Sequence, residues 1–269
     1  MGERLRILSL GAGVQSTTLA LMGAKGEIEA PDCAIFADTG WEPRAVYEHL
    51  DRLEAALPFP VYRVQAGNIR DEIISKNSTR SGRFASVPWF TRDGAGTIGM
   101  GRRQCTAHYK LEPLSRKIRD LLGHNGRGRV RGVAEILIGI STDEAQRMKP
   151  ARVRYMQNRW PLIDLGMSRA ACLRWLAAAG WNAPKSSCIG CPFHSNAMWR
   201  DLRDHAPDEW ADAVALDALI RDGGSNRGIN AQQFMHRSCA PLAEVDLSTW
   251  AERGQPDLFN NECEGMCGV

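Results

Sequence analysis

Short apolar segments alternate with amphipathic ones along much of the chain. Residues 5–10 are rich in leucine and isoleucine, as buried strands are, and residues 33–37, 60–64 and 134–140 have similar patterns. Between these segments, apolar residues recur at helical spacing, as at Val46, Leu50 and Leu53. Because strands alternate with helices, we predict an α/β fold in which a parallel sheet is doubly wound, with helices on both faces.

Glycine and polar residues follow three of the predicted strands at their carboxyl ends. The sequence GAGVQS occupies residues 11–16, DTG occupies 38–40, and STDE occupies 141–144. The carboxyl ends of parallel strands meet at one edge, where open α/β sheets bind ligands. A glycine turn into a helix suits a phosphate, because the backbone and the helix N–H groups approach the anion closely. Taken alone, the first turn is equally typical of an ordinary strand-to-helix connection.

The composition sets limits on size and location. A chain of 269 residues with 43% hydrophobic content can bury a full core. We predict a catalytic domain at residues 1–222 and an irregular C-terminal tail at residues 223–269. No apolar run approaches the ~20 residues of a membrane span. Eight cysteines without a secretory signal favour a reducing compartment, so we predict a cytoplasmic protein that does not associate with membranes.

Positive charge is concentrated in the middle of the chain. The net charge is +3, but residues 102–159 contain 14 Lys or Arg and 5 Asp or Glu. Such a surplus indicates an anionic partner, for which nucleic acid is one class. A solvated basic surface without a partner is the alternative interpretation.

Three cysteines could hold a metal. Cys188 and Cys191 form a C-x-x-C pair, and Cys105 follows two arginines that would stabilise its thiolate. Three thiolates on a 4Fe–4S cluster would leave one iron open, whereas His194 could instead complete a structural zinc site. Buried thiols without a metal are a third possibility.

Two further cysteines, Cys263 and Cys267, lie near the end of the chain beside glycines. A terminus of this composition could carry a persulfide or close over a site. A frayed tail without a function is the equal alternative.

Together these segments resemble the PP-loop ATP pyrophosphatase superfamily, and within it the phosphoadenylylsulfate (PAPS) reductase-like branch. Residues 11–16 are similar to the S-x-G-x-x-S phosphate loop of that family, and residues 38–40 to its D-T-G element. Residues 139–144 with Arg147 are similar to its G-h-R-x-D-E-x-x-R element. The segments at 105–114 and 188–191 resemble cluster-binding segments of sulfate-activating reductases and tRNA thiolases. The similarity extends from residue 7 to residue 193.

The chain departs from the family pattern at several positions. Gly11 stands where the loop usually has Ser, and Gln15 where many members have Asp, so the loop lacks a carboxylate. Cys105 is single, whereas cluster-bearing reductases have adjacent cysteines in that segment. The sequence around Cys263 is only loosely similar to the E-C-G tail of the reductases.

The resemblance implies a five-stranded parallel sheet and three cofactors, namely ATP, Mg²⁺ and a 4Fe–4S cluster. The residues that it assigns to nucleotide binding are Ser9, Gly11, Gly13, Gln15, Ser16, Thr17, Thr39, Gly40 and Gly139. The residues that it assigns to catalysis are Asp38, Asp143, Glu144, Arg147, Cys263 and Cys267. The cluster ligands would be Cys105, Cys188 and Cys191.

The function that we predict is an ATP-dependent sulfurtransferase acting on a nucleobase. The acceptor would be tRNA, DNA or a nucleoside, activated as an adenylated intermediate, and a separate donor would supply the sulfur. Three separated cysteines and the basic surplus favour this over two alternatives. One is a reductase of adenylylated sulfate that uses a tail cysteine, and the other is a zinc-stabilised module that binds nucleotides or nucleic acid. The oligomeric state stays open, with a homodimer as one option.

Overall fold

The computed structural model describes residues 4–75, 87–124, 126–222, 231–249 and 252. Among these residues, no helix is long and apolar enough to cross a bilayer. The strands are β1 (Leu5–Ser9), β2 (Cys33–Asp38), β3 (Val61–Gln65), β4 (Phe90–Arg92), β5 (Ile98–Met100), β6 (Ala134–Ile138), β7 (Met156–Arg159) and β8 (Gln232–Phe234). The α-helices are α1 (Val14–Ala24), α2 (Arg44–Ala56), α3 (Ile69–Ser75), α4 (Glu112–Leu121), α5 (Pro161–Asp164), α6 (Arg169–Ala178), α7 (Asn196–His205) and α8 (Pro207–Ile220).

The main sheet has five parallel strands in the order β3-β2-β1-β6-β7. Central β1 pairs on both sides, with Ile7 opposite Cys33 in β2 and opposite Ile136 in β6. The predicted α/β class and parallel five-stranded sheet are therefore confirmed. The edge strand β7 has no apolar run, since its residues M-Q-N-R alternate between half-buried and exposed positions, and the sequence pattern did not predict it.

Alternate residues of the sheet enter two separate cores. Leu8 and Leu137 pack on one face with α1, α2 and α6, while Ile7 and Ile136 pack on the other face with α4. Each fully buried leucine or isoleucine contributes about 1.5–3 kcal/mol, so both helical layers are held mainly by apolar burial. The doubly wound arrangement is confirmed.

Local signals fix the ends of several helices. The hydroxyl of Ser168 accepts a hydrogen bond of 3.2 Å from the Ala171 N–H and caps α6, as the sequence predicts. Pro43 immediately precedes α2. A π-helix at Thr106–Leu111 continues directly into α4. π-Helices are rare in proteins, and those that occur are often found at functional sites.

The chain forms two compact units. The first contains the described parts of Met1–Ala66 and Tyr109–Ser186 with the parallel sheet, and the second contains those of Gly67–His108 and Ser187–Glu264. The second unit has its own antiparallel sheet in the order β5-β4-β8. Strand β8 falls in the segment that was predicted to be irregular. Most of residues 223–269 lie outside the described ones, so the predicted boundary at 222/223 stays a prediction.

Candidate functional site

Three loops of the first unit meet at the carboxyl edge of the parallel sheet. They follow β1, β2 and β6, whose ends lie side by side because these strands are neighbours. Strands β2 and β3 follow β1 on one side of it, and β6 and β7 lie on its other side, so the direction of strand order reverses between β1 and β6. A crevice forms in open sheets at such a reversal of strand order, and ligands bind there.

Gly139 brings the loop after β6 directly against the start of α1. A Cβ atom at Gly139 would lie 2.9 Å from the Ser16 nitrogen and 3.0 Å from the Gln15 carbonyl carbon. No side chain caps α1, and its first turn holds no acidic residue. The first N–H groups of a helix have no intrahelical acceptors. Glycine backbone packed beside the positive end of an uncapped helix is a setting suited to a phosphate.

The turn after β1 has a fixed and partly strained backbone. Ala12 has φ of 56°, which is the left-handed region where non-glycine residues are uncommon. Gly13 is extended, and a Cβ there would lie 2.9 Å from Ser186 Oγ. The Ser16 hydroxyl accepts from the Gly11 N–H at 3.2 Å and donates to the Gly13 carbonyl at 3.3 Å. Ser16 therefore shapes the turn in this structure.

Gln15 joins two of the three loops. Its Nε2 donates to Glu144 Oε2 at 3.1 Å, and Glu144 is paired with Arg147 at 2.6 Å. An Asp at position 15, as in many members of the family that the sequence resembles, would set two carboxylates side by side. The structure thus gives a physical reason for the departure at Gln15. The carboxylate of this part of the site is supplied by Glu144 on the loop after β6.

The loop after β2 is held by a buried network. Asp38 Oδ1 accepts from the Gly40 N–H at 2.7 Å and from the Tyr47 hydroxyl at 2.8 Å. Glu42 is only 4% exposed, and accepts from the Thr39 hydroxyl at 3.1 Å and from Lys110 Nζ at 3.2 Å.

Burial raises the pKa of Tyr47, and the hydrogen bond to Asp38 adds to the shift. Sequence reasoning missed Glu42, Lys110 and Tyr47. The only local signal was a carboxylate four residues after Asp38.

Asp143 has different hydrogen-bond partners from Asp38 and Glu144. Burial opposes its ionisation, but hydrogen bonds from Ser141 and from the Arg169 N–H outweigh that effect and lower the pKa of Asp143. The Arg169 N–H, 3.0 Å away, is at the first residue of α6. In this structure Asp143 therefore contacts the start of a helix, where a negative charge is favourable.

Thr17, predicted to bind the nucleotide, contacts another helix. Its hydroxyl is 2.9 Å from His49 Nε2 on α2, and Thr17 has no exposed surface. Burial lowers the pKa of His49 to about 4, with a smaller contribution from Arg52. Ser9 is the last residue of β1, half-buried and opposite Ile35 and Ile138. Sequence reasoning did not identify His49 as a support for the start of α1.

The second unit contains the predicted cluster ligands. Cys188 and Cys191 lie on a tight turn, in which the Cys191 N–H donates to the Cys188 carbonyl at 3.0 Å. The guanidinium of Arg103 lies 5.5 Å from the centre of the Phe193 ring, so the segment before Cys105 contacts the segment after Cys191. Ser187 Oγ and His194 Nε2, both buried, are 2.8 Å apart across the turn.

The described residues contain no group of three His, Cys, Asp or Glu side chains placed to hold a metal. The predicted cluster ligands Cys105, Cys188 and Cys191 are all described residues, and their role in holding a cluster stays a prediction. Burial raises the pKa values of the Cys33 and Cys172 thiols to about 11, which is typical of core cysteines. The predicted catalytic residues Cys263 and Cys267 lie outside the described residues.

No protein-family model matches the sequence, and a comparison with curated proteins finds no match. Among solved structures, the chain is similar to PAPS reductase from Candida auris in a phosphate complex. The TM-score is 0.43 and the sequence identity is 13%, over 68% of this chain and 76% of that one. The fold assignment above accordingly stands on strand order and direction.

Proposed function

We propose that the chain is an ATP-utilising enzyme of the PP-loop type, which transfers AMP to an acceptor oxygen and releases pyrophosphate. The observation that carries the proposal is the close approach of Gly139 to the start of α1, where a Cβ would lie 2.9 Å from the Ser16 nitrogen. Only glycine lets these two backbone segments approach so closely. A position with this requirement is expected where backbone N–H groups receive a phosphate.

In the proposed reaction, the acceptor oxygen attacks the α-phosphorus of ATP. A bond forms between that oxygen and phosphorus, the bond to the bridging oxygen breaks, and pyrophosphate leaves with the electron pair. The acceptor proton goes to solvent. The backbone of the turn after β1 holds phosphate, and Arg147 and Lys110 are the described cations whose partners, Glu144 and Glu42, belong to the loops of this edge. Cations fixed in this way stabilise the charge that develops on the leaving group.

The carboxylates of this edge suit Mg²⁺, which is bound through one or two carboxylates together with substrate phosphates. Asp38 and Glu144 are the two that we assign to this role, because each is already oriented by hydrogen bonds from its own loop or a neighbouring one. Asp143 is bound to the start of α6, and we assign it the support of that loop.

The finer function that we propose is sulfur transfer to a nucleobase. Hydrosulfide from a donor would attack the carbon that bears the adenylated oxygen, so that a C–S bond forms, the C–O bond breaks and AMP leaves. The contact of Arg103 with Phe193 joins the segment before Cys105 to the segment after Cys191, and we assign the handling of sulfur to the cysteines of these two segments. The 4Fe–4S cluster stays a prediction from the sequence, and the transfer as written needs only the hydrosulfide donor.

ATP binding tests the nucleotide site. Gly139→Ala should abolish binding in calorimetry, because its methyl group would meet backbone at 2.9 Å. Gly94→Ala is the control outside the site, since a Cβ there would meet nothing within 4 Å, and it should bind ATP within about twofold of wild type. Equal binding by both variants would refute the assignment.

Metal analysis tests the cysteine hypothesis. Anaerobically purified protein is assayed for iron, acid-labile sulfide and zinc, beside Cys105→Ala, Cys188→Ala and Cys191→Ala variants. If the three cysteines hold a 4Fe–4S cluster, each variant should lose the brown absorbance, whereas Cys33→Ala, which alters a core thiol, should keep it. One zinc per chain without sulfide would replace the sulfur-transfer role by a structural one.

A further inference from the structure

The parallel sheet has a second polar edge, at the amino ends of its strands. The segment before β6 has the sequence GRGRVRG at residues 126–132, and the segment before β7 contains Arg152 and Arg154. Neither the stretch 124–134 nor the stretch 147–159 contains an acidic residue. We define Arg129, Arg131, Arg152 and Arg154 as the amino-edge patch.

The two halves of the amino-edge patch lie side by side. Strands β6 and β7 are neighbours, with Ala134 opposite Met156, and the Ala134 N–H donates to the Tyr155 carbonyl at 2.9 Å. Arg131 comes three residues before Ala134, and Arg154 comes immediately before Tyr155. Neighbouring strands are about 4.8 Å apart, so the arginines flank one short stretch of the edge.

The arginines of the patch are open to solvent. All four are exposed, and none forms an ion pair or a side-chain hydrogen bond with any described residue. A Cβ built at Gly126 or Gly128 would meet nothing within 4 Å, so there is open space at these two positions beside Arg129. By contrast, Arg4 and Arg159 nearby are paired with Glu135.

We propose that the amino-edge patch binds the phosphate backbone of a polynucleotide. Guanidinium groups match phosphate oxygens with two parallel hydrogen bonds, and the patch consists of arginine alone. The surrounding exposed apolar residues, Val133 and Val153, are 36% and 37% exposed. Two valines do not form the aromatic and leucine-rich face that proteins insert into a membrane surface.

The amino-edge patch is too far from the candidate nucleotide site for one bound nucleotide to contact both. The patch lies at the amino edge of the sheet and the candidate nucleotide site at its carboxyl edge, about 17 Å apart along a five-residue strand such as β6. A nucleotide in that site cannot reach the patch, whereas a nucleic acid has phosphates along its whole length. The inference deepens the proposed function and rests on it, since it names the surface that would hold a polynucleotide acceptor.

Salt-dependent binding of nucleic acid tests the inference. Binding of a fluorescein-labelled single-stranded RNA to the full chain is measured by anisotropy over a salt series. Arg129→Ala/Arg131→Ala should lower the log–log salt slope by about 1.4, because each lost contact removes about 0.7. Binding at 0.1 M salt should weaken by about 25-fold, since each contact contributes about fivefold there.

A charge-matched control separates the patch from net charge. Lys25→Ala/Arg174→Ala removes two exposed positive charges, one immediately after α1 and one on α6, and should bind RNA like wild type. Equal weakening by both double variants would overturn the patch in favour of general electrostatic attraction. Unchanged binding by Arg129→Ala/Arg131→Ala would also overturn it.

Two further measurements distinguish the remaining outcomes. ATP calorimetry on Arg129→Ala/Arg131→Ala should match wild type. If wild type binds ATP but no RNA, the inference fails while the nucleotide site stands; if wild type binds neither, the proposed function fails as well. Vesicles containing phosphatidylserine are the third probe, and binding to them without binding to RNA would replace the polynucleotide by a membrane surface.

Discussion

The two edges of the parallel sheet use positive charge in opposite ways. At the carboxyl edge, Lys110 and Arg147 are each held by a carboxylate, and their side chains are 17% and 14% exposed. At the amino edge, Arg129 and Arg131 are exposed and form no ion pair with described residues. Paired and partly buried cations are held in fixed positions. Unpaired exposed cations instead attract anions through a long-range electrostatic field, which salt screens. A surplus of arginine in a sequence therefore does not indicate a single surface.

The largest effect is expected where the pairing is most buried. Glu42→Ala should destabilise the protein by about 4 kcal/mol, because it leaves the Lys110 ammonium in a largely buried position without its carboxylate. The free energy of unfolding is measured in urea at constant pH. The double variant Glu42→Met/Lys110→Met, which removes both charges, should recover most of the loss. A double variant as unstable as Glu42→Ala would show that the ion pair is not the cause.

A slightly smaller effect should follow from protonation of His49, which contacts Thr17 at the start of α1. The folded pKa of His49 is about 4, against about 6.5 in an unfolded chain, so the unfolded state binds the proton more tightly. The neutral His49 makes its full contribution to the free energy of unfolding above about pH 6.5. That free energy falls by about 3 kcal/mol as the pH decreases to 4.

The readout is the difference between wild type and His49→Gln, which cannot titrate at this position. That difference should change with pH over this window only. A constant difference between pH 7 and pH 4 would contradict the buried neutral state of His49.

A smaller effect is expected from a like charge at the carboxyl edge. Gln15→Glu sets a second carboxylate beside Glu144 and should cost about 2 kcal/mol at pH 8. Added Mg²⁺ should restore part of the thermal stability, since two adjacent carboxylates bind that ion. The exchanged pair Gln15→Glu/Glu144→Gln keeps one carboxylate and one amide, and it should melt near the wild-type temperature. An unchanged melting temperature in Gln15→Glu itself would contradict the contact.

The smallest effect is expected at the amino edge. Arg129→Ala/Arg131→Ala should change the free energy of unfolding by no more than about 0.5 kcal/mol, because exposed side chains without partners contribute little to stability. Urea unfolding measures this directly on the variant used for RNA binding. A loss of several kcal/mol would mean that these arginines hold the fold, and the contrast between the two edges would then be wrong.

The part of the fold that the sequence predicted is the part with continuous apolar segments. Strands β1, β2 and β6 are buried and read as apolar runs, whereas the edge strand β7 and the three-residue strands β4, β5 and β8 are too short or too polar to show a period. Their position depends on pairing with distant segments, as in the contact of Phe90 with Phe234.

The same distinction applies to the candidate site. The loops after β1, β2 and β6 could be predicted, because polar residues stand at the ends of apolar runs. The contacts between Glu42 and Lys110, 68 residues apart in sequence, and between Thr17 and His49, 32 apart, could not. Such pairs are made by tertiary packing, which leaves no local pattern in the sequence. The Thr17 hydroxyl contacts His49 in the structure, and its role in nucleotide binding stays a prediction.

The left-handed backbone of Ala12 has a consequence for the thermodynamics of ligand binding. A non-glycine residue in that region costs about 1–2 kcal/mol, and the rest of the fold meets this cost before any nucleotide arrives. The turn after β1 is thus ordered in advance, and binding need not restrict it further. Calorimetry separates the enthalpy and the entropy of ATP binding, and both should differ between wild type and Ala12→Gly. The glycine variant would bind with a more unfavourable entropy, although position 12 is fully buried and offers the ligand no side chain.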